Sequence, residues 1–208
     1  EAWFYGLQFE VNENTLIPRP ETEELVEWII ESQKLKIQSQ KLEILDIGTG
    51  TGCIPISLKS NLPQANVSAI DVSEKALEVA KRNATSNKVE INFIQTNILE
   101  VADLNQNFDI IVSNPPYVRN LEKQEIKKNV LDYEPHLALF VEDTDALLFY
   151  RKIAQLALKN LSPKGLLFFE INQYLGKETV ELLENLGFKN IELRKDFVGN
   201  ERMIKCEK

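Results

Sequence analysis

The regular alternation of strand-like and helix-like segments that begins at Glu43 constrains the fold of this chain more than any other feature. Short apolar runs are typical of buried strands, and the clearest of them are "EILDIG", "NVSAID", "INFIQTNI", "FDIIVS" and "GLLFFEI". Between and after these runs we predict helices at residues 52–59, 73–86, 145–161 and 178–186. Parallel strands need such crossover connections, and the helices then cover both faces of the sheet.

The two ends of the chain follow different patterns. Residues 1–18 are aromatic and irregular, which favours a short hairpin, and Pro20 with the acidic residues after it favours the start of a helix. Near the other end, two strand-like runs flank Gly199 without a helix between them, so this pair should be antiparallel. We therefore expect an α/β fold with a mostly parallel sheet and an antiparallel C-terminal strand. The hairpin and helix of residues 1–30 would pack on residues 31–208 to make one structural unit.

The composition argues against several classes of function. The chain has 208 residues and a net charge of −8, which is a poor field for attracting a nucleic-acid backbone. No apolar run approaches the length of a membrane span, and no secretory signal opens the sequence. Cys53 and Cys206 stand far apart and in no metal-binding spacing. We therefore expect reduced, buried thiols, no metal site and a cytoplasmic protein.

Three glycines, Gly48, Gly50 and Gly52, follow the first strand of the alternation and precede a helix. Glycine allows positive φ and a close approach of the backbone to a ligand. The N-terminus of the following helix offers free N–H groups to a carboxylate or a phosphate. The spacing is G-x-G-x-G, which differs from the G-x-G-x-x-G of dinucleotide sites. The pattern predicts a ligand-binding loop.

Two acidic residues indicate the kind of ligand. Asp46 stands two residues before the first glycine, and Asp71 ends the next strand. An ammonium group suits Asp46, a carboxylate suits the helix N-terminus, and ribose hydroxyls suit Asp71. S-adenosylmethionine carries all three groups, so we predict it as the cofactor. The following strand ends in Asn97 and Ile98, which would frame the adenine with an amide and an apolar face, although simple packing explains Ile98 equally well.

The strand "FDIIVS" ends on Asn114-Pro115-Pro116-Tyr117. Proline has no N–H, so the sheet ladder cannot continue through this segment. We predict that the rigid loop binds a planar NH₂ group, whose two protons would be accepted by the Asn114 side-chain oxygen and the Pro115 carbonyl. Both acceptors would favour positive charge on that nitrogen in a transition state. Tyr117 would supply a flat wall beside the group.

With the glycine loop and "NPPY" together, the chain resembles class I S-adenosylmethionine-dependent methyltransferases that act on planar nitrogen groups. The segments "LIPRPETEELVE", "EPHLALF" and "KDFVGNERM" narrow the resemblance to the protein-(glutamine-N5) methyltransferases of peptide chain release factors, the PrmC/HemK family, from about Phe4 to Met203. Members usually carry an additional N-terminal helical domain that helps to dock the release factor, and we expect it to be absent here. The chain departs from the family at Asn97, Asn172 and Leu175, where Asp, Gly and Gln are common.

The resemblance implies methyl transfer from S-adenosylmethionine to the side-chain amide nitrogen of a glutamine in a release factor. It assigns cofactor contacts to Gly48, Thr49, Gly50, Thr51, Gly52, Asp71, Asn97, Ile98 and Asn114, and substrate contacts to Asn114, Pro115, Pro116 and Tyr117. Among these, Asn114, Pro115 and Tyr117 would have the catalytic roles. It gives residues 31–208 the part of a methyltransferase domain.

Two other functions share part of this pattern. A nucleic-acid amino-methyltransferase, acting on adenine N6 or guanine N2, also carries "NPPY", but it would have to flip a base and bind a phosphate backbone, against the net charge of −8. A noncatalytic module could keep the fold and the cofactor, but the intact Asn114 argues against it. The single histidine, His136, is more easily explained as a structural residue than as a base. Arg19, Glu21 and Glu23 are secondary candidates along the approach of the substrate, although helix-start acids and a surface arginine explain them equally well, and Glu170 at a strand end is a further candidate.

Overall fold

The computed structural model describes residues 1–33, 41–116, 118–119, 140–141 and 145–208. The strands are β1 (Ala2–Phe4), β2 (Leu7–Phe9), β3 (Glu43–Ile47), β4 (Asn66–Asp71), β5 (Asn92–Gln95), β6 (Phe108–Ser113), β7 (Val118–Arg119), β8 (Phe140–Val141), β9 (Leu161–Glu170), β10 (Lys189–Lys195) and β11 (Glu201–Glu207). The helices are α1 (Pro20–Gln33), α2 (Cys53–Asn61), α3 (Glu74–Ser86), α4 (Leu148–Asn160) and α5 (Gly176–Leu186).

A seven-stranded sheet with the order β10-β11-β9-β6-β3-β4-β5 organises the molecule. The five strands from β9 to β5 are parallel, whereas β11 is antiparallel to both of its neighbours. The strand order reverses beside β3, so the carboxyl ends of β3 and β6 lie where open α/β sheets bind ligands. The predicted fold class, including the antiparallel C-terminal strand, is confirmed.

The sheet is buried on both faces, as expected for a doubly wound fold. Along β3, Ile44 enters one core cluster and Leu45 enters the other. The first cluster includes Trp28 of α1, which meets Phe168 edge-to-face at 5.5 Å between ring centroids. In the second, on the opposite face, Tyr150 of α4 meets the next residue along β9, Phe169, at 5.2 Å. Two aromatic contacts of this kind stabilise the sheet from both sides.

Several elements differ from their predicted bounds, and for two of them a local side-chain hydrogen bond lies at the changed end. The helix predicted from residue 145 begins at Leu148, because Asp145 lies before it and accepts two hydrogen bonds from one Arg151 nitrogen at 2.9 and 3.1 Å. Strand β5 ends before Asn97, whose side-chain oxygen accepts the Leu99 N–H at 3.1 Å in a turn. Strand β9 begins at residue 161, directly after α4, and is longer than predicted. Helix α3 has Ser73 as its N-cap, because the Ser73 hydroxyl oxygen accepts the Ala76 N–H at 3.2 Å.

The N-terminal hairpin forms as predicted, with β1 and β2 antiparallel. It is joined to α3 through Asn83, which is 2% exposed. The Asn83 side-chain oxygen accepts the Glu10 N–H at 2.7 Å, and its NH₂ group donates to the carbonyls of Glu10 at 3.0 Å and Thr51 at 2.9 Å. One buried amide therefore connects the hairpin, α3 and the glycine loop. Within the described ranges, no helix combines the length and the apolar character that a membrane span requires.

Candidate active site

The two motifs singled out in the sequence meet at the carboxyl edge of the sheet. Strands β3 and β6 are parallel neighbours, with Ile47 opposite Ser113. The Ser113 hydroxyl donates to the Ile47 carbonyl at 2.6 Å and ties the two strand ends together. The next residues are Gly48 on one strand and Asn114 on the other, and adjacent strands lie about 4.8 Å apart. The glycine loop and the Asn-Pro-Pro loop therefore start side by side.

The three glycines of the loop differ in what surrounds them. All have positive φ, at 78° for Gly48, 54° for Gly50 and 80° for Gly52. A Cβ atom at Gly48 or Gly50 would have no heavy atom within 4 Å, so the backbone there borders open space. A Cβ atom at the buried Gly52 would lie 2.9 Å from Ile56 Cδ1 and 3.1 Å from Ala80 Cβ. The first two glycines leave room for a ligand, and the third allows α2 to pack against α3.

The carboxylate of Asp71 holds the glycine loop against the end of β4. One of its oxygens accepts the Gly50 N–H at 2.9 Å, and the other accepts the Ser73 N–H at 2.9 Å. Burial raises the pKa of Asp71, and these backbone donors oppose the rise. A carboxylate has about four lone-pair positions, so two remain for hydroxyl donors. This arrangement suits a ribose.

Asp46 is the least satisfied polar group in the described part of the chain. It is 0% exposed, and neither of its carboxyl oxygens has a hydrogen-bond partner among the described residues. Burial raises the pKa of Asp46 from 3.8 to about 7; the nearby Thr49 hydroxyl opposes this rise, and the charge of Asp71 adds to it. A buried carboxyl group without a partner is costly unless a ligand supplies one. An ammonium group would do so.

Helix α2 completes the donor set beside the loop. Its N-cap is Gly52, and no side chain in the described residues caps its first turn. The Thr49 hydroxyl, 5% exposed as a residue, is also without a hydrogen-bond partner in that part of the chain. Uncapped N–H groups and a helix dipole favour a carboxylate. Together with Asp46 and Asp71, these groups fit S-adenosylmethionine.

The residues predicted to frame the adenine have local roles as well. The Asn97 amide donates to Glu100 at 2.9 Å and accepts the Leu99 N–H, so both of its ends take part in one turn. Ile98 is 9% exposed and belongs to the core cluster that contains Ile70. Their contact with adenine stays a prediction. The cofactor contacts of Gly48, Thr49, Gly50, Thr51, Gly52, Asp71 and Asn114 also stay predictions.

The Asn-Pro-Pro loop is anchored by two residues on other elements. Asn114 is partly exposed, and its Nδ2 donates to Thr22 Oγ1 at 3.4 Å. The Thr22 hydroxyl in turn donates to Glu170 Oε2 at 2.5 Å. Pro115 is buried and Pro116 is half-buried. The roles of Asn114 and both prolines in binding the substrate stay predictions.

Thr22 was missed by the sequence reasoning, although the pattern of α1 contains a signal for it. The apolar face of α1 carries Leu25, Val26 and Ile29, which are all fully buried. Thr22 lies three and four residues before the first two of these, so it is a hydroxyl on the buried stripe. A polar residue at such a position needs a buried partner. Glu170 is that partner.

The remaining residues considered in the sequence analysis are either outside the described ranges or have local structural contacts. Tyr117 and His136 lie outside the described residues, as does the segment 120–139. Glu23 accepts the Tyr5 N–H at 2.9 Å and so holds the hairpin. Asn172 is buried and accepts the Tyr174 N–H at 2.9 Å in a tight turn.

Both cysteines, Cys53 and Cys206, are free and buried, as predicted. Burial raises the pKa of each thiol to about 12. Neither thiol is therefore suited to act as a nucleophile at neutral pH.

Comparison with known proteins agrees with this geometry. The family model described as "Methyltransferase small domain" matches residues 29–136. A release factor glutamine methyltransferase from Flavobacterium psychrophilum is 72% identical over 99% of this chain and 72% of its own length, and one from Bacteroides thetaiotaomicron is 45% identical over 98% and 72%. The crystal structure of a methyltransferase from Pyrococcus furiosus shares the fold, with a TM-score of 0.67, 22% identity and coverage of 97% of this chain and 89% of that one. By these relationships the chain belongs to the family of release factor glutamine methyltransferases.

Proposed function

We propose that this protein transfers the methyl group of S-adenosylmethionine to the side-chain amide nitrogen of a glutamine in a peptide chain release factor. Membership of the family supports the reaction and its substrate. The observation that carries the proposal in this chain is the meeting of the glycine loop and the Asn-Pro-Pro loop. The two loops meet because the Ser113 hydroxyl donates a hydrogen bond to the Ile47 carbonyl where β6 and β3 end.

Three parts of the cofactor have a candidate partner in the protein: the ammonium, the carboxylate and the ribose. Asp46 would bind the ammonium as an ionised carboxylate, and the N-terminus of α2 would bind the carboxylate. Asp71 would accept hydrogen bonds from the ribose with the lone pairs that Gly50 and Ser73 leave free. When bound, S-adenosylmethionine supplies an electrophilic methyl group on a sulfonium.

The Asn-Pro-Pro loop would hold the glutamine amide. An amide NH₂ group has two donors, and the loop offers two acceptors, the Asn114 side-chain oxygen and the Pro115 carbonyl. Proline fixes φ, so the Pro115 acceptor is positioned before the substrate arrives. Fixed orientation can supply roughly 7–11 kcal/mol of the barrier. Acceptors on both N–H groups favour the positive charge that develops on the nitrogen, so no strong base is required.

We further propose that the protein acts in the cytoplasm and binds no nucleic acid stably. The free, buried thiols of Cys53 and Cys206 support a reducing compartment. The net charge of −8 supports a protein partner over a phosphate backbone.

A methyl-transfer assay with isotopically labelled donor tests the proposal against three acceptors: a release factor, duplex DNA and ribosomal RNA. We expect label on the release factor and mass-spectrometric location of the methyl group on a glutamine side chain. In the same assay, Asn114→Ala should reduce the rate by at least about 100-fold because it removes one of the two acceptors.

The affinity for S-adenosylmethionine should weaken much less in Asn114→Ala than the rate does. Asn92→Ala, at an exposed amide on the edge strand β5, is the matched control and should keep the parent rate. Label on DNA or RNA without label on the factor would overturn the assigned substrate. A parent-like rate in Asn114→Ala would overturn the assigned role of the loop.

A further inference from the structure

We propose that Thr22 and Glu170 are positioning residues that fix the orientation of the Asn114 amide and turn its oxygen toward the substrate. The inference rests on the proposed function and adds two residues that do not themselves touch the reacting atoms. It starts from a chain of two hydrogen bonds, Asn114 to Thr22 and Thr22 to Glu170.

The two residues at the base of this chain are deeply buried. Thr22 is 2% exposed and Glu170 is 1% exposed. Glu170 is the last residue of β9, and the pairing of β6 with β9 places Phe169 opposite Ser113. The residues that follow, Glu170 and Asn114, are therefore neighbours at the ends of adjacent strands. Thr22 reaches both from the first turn of α1.

The direction of each hydrogen bond follows from the chemistry of the donors. The hydroxyl of Thr22 has a single proton, and it is donated to Glu170 Oε2 at 2.5 Å. The hydroxyl oxygen of Thr22 then has lone pairs but no proton for its second neighbour. Asn114 must meet it with its NH₂ group, and the amide oxygen points away from Thr22.

The opposite orientation of the amide would fail at both ends. Its oxygen would face the Thr22 oxygen with no proton between them, and its NH₂ group would face the NH₂ group of the substrate. Two such mismatches each cost about 1–3 kcal/mol where water is excluded. The chain therefore removes a twofold ambiguity that an isolated asparagine would keep. It also places the Glu170 carboxylate at the far end of a series of bonds that polarise one another, which strengthens Asn114 as an acceptor.

The geometry also explains why α1 keeps a hydroxyl on its apolar stripe. Valine would have nearly the same shape and would pack against Leu25 and Val26, but it would remove the hydroxyl that donates to the buried Glu170. If Thr22 were merely structural, valine would lower the free energy of unfolding but would leave kcat of the folded protein unchanged. If Thr22 positions the Asn114 amide, valine would lower kcat as well.

The test compares Thr22→Val, Thr22→Ser and the matched control Thr179→Val in the full chain. Thr179 is also buried in a helix, but its hydroxyl bonds the Leu175 carbonyl of its own helix at 2.7 Å. With saturating release factor and cofactor, Thr22→Val should lower kcat by roughly 10- to 100-fold because the amide loses its fixed orientation. Thr22→Ser should recover most of the parent kcat, and Thr179→Val should keep it.

A second readout is independent of methyl transfer. In protein carrying ¹⁵N-labelled asparagine, the Asn114 NδH₂ signals are assigned by their loss in Asn114→Ala. We expect them to move in Thr22→Val, to stay near the parent position in Thr22→Ser, and to be unaffected in Thr179→Val. Glu170→Gln should also move these signals, because a glutamine amide can donate to Thr22 and reverse the direction of both hydrogen bonds. This variant replaces Thr22→Val in the test if Thr22→Val does not fold.

The outcomes separate this inference from the proposed function. Parent kcat and unmoved Asn114 signals in a folded Thr22→Val would overturn the positioning role. A loss of kcat that Thr22→Ser does not recover would also overturn it, because the hydroxyl would not be the cause. If the parent protein methylates no release factor, the proposed function fails, and the amide signals still decide whether Thr22 and Glu170 orient Asn114.

Discussion

Replacing Asp46 by asparagine should make the free protein more stable at neutral pH and at the same time weaken its binding of S-adenosylmethionine. The carboxyl group of Asp46 is fully buried and has no hydrogen-bond partner among the described residues. Its pKa is raised to about 7 by burial. Asparagine has nearly the same shape but carries no charge at any pH, so the variant isolates the cost of ionisation.

The magnitude follows from the two ends of the titration. Below pH 4 the carboxyl is protonated in the folded and the unfolded protein, and ionisation costs nothing. Between pH 4 and 7 the unfolded chain releases the proton while the folded protein keeps it, so the stability of the parent falls by about 1.4 kcal/mol per pH unit. Above pH 7 the loss is complete at roughly 4 kcal/mol. In a chain of this size that amounts to roughly 8–16 °C in Tm.

Cofactor binding should depend on pH in the opposite sense. An ammonium group pairs with the ionised form of Asp46, so binding below pH 7 must release a proton. The affinity of the parent should rise about tenfold per pH unit up to pH 7 and level off above it. The affinity of Asp46→Asn should be weaker and nearly independent of pH.

The assay is thermal unfolding of the free parent and of Asp46→Asn from pH 4 to 8, with calorimetric titration of S-adenosylmethionine at the same pH values. The informative quantity is the slope of the stability difference with pH, because the slope is insensitive to the constant cost of a buried amide. Asp103→Asn is the control, because hydrogen bonds from Asn105 and Asn160 lower the pKa of this exposed carboxylate. Asp103→Asn should therefore become slightly less stable than the parent as the pH rises, which is the opposite trend to that of Asp46→Asn. Parallel curves for the parent and Asp46→Asn would refute the reasoning.

Two further predictions concern the glycine loop and the hairpin. Gly50→Ala and Gly52→Ala both place alanine at positive φ, which costs about 1–2 kcal/mol, but Gly52→Ala adds roughly 1–3 kcal/mol of overpacking. Thermal unfolding should therefore show the larger loss of stability for Gly52→Ala, and calorimetry should show the larger loss of cofactor affinity for Gly50→Ala. Equal losses in the two variants would contradict the different roles of these glycines. Asn83→Leu removes the hydrogen-bond partner of the backbone groups of Glu10 and of the Thr51 carbonyl. Urea unfolding should show that the free energy of unfolding falls by roughly 2–4 kcal/mol. A fall below about 0.5 kcal/mol would contradict the connecting role of this amide.

The order and type of the main elements could be predicted from the sequence because each is encoded locally. The alternation of apolar strands and amphipathic helices repeats over short windows, and the antiparallel pair β10–β11 follows from the turn at Gly199 without a crossover. Element ends were less accurate because side chains decide them. The bond from Asn97 to Leu99 and the pair Asp145–Arg151 act on single residues, and periodicity does not report them.

The candidate site was predictable only where its residues lie next to a strand end. Gly48, Asp71 and Asn114 each follow or close a strand of the parallel sheet, so topology brings them together. Thr22 lies 92 residues from Asn114 and 148 from Glu170 in sequence, and no local pattern encodes such contacts. That Asp46 has no hydrogen-bond partner among the residues the structure describes is likewise a property of the assembled core.

The place of β11 in the sheet has a consequence for how the protein forms during synthesis. This strand is the last in sequence of the strands described, yet it lies between β10 and β9 and not at an edge. Its Met203 pairs with Glu170, and the Arg202 carbonyl accepts the Ile171 N–H at 2.8 Å. A nascent chain lacking residues 201–207 would leave β9 with an open edge exposed to other strands. Residues 201–207 must therefore be synthesised before the strand that ends in Glu170 is fixed on both sides, and a chain cut before Glu201 would leave one side of the strand under the candidate site open.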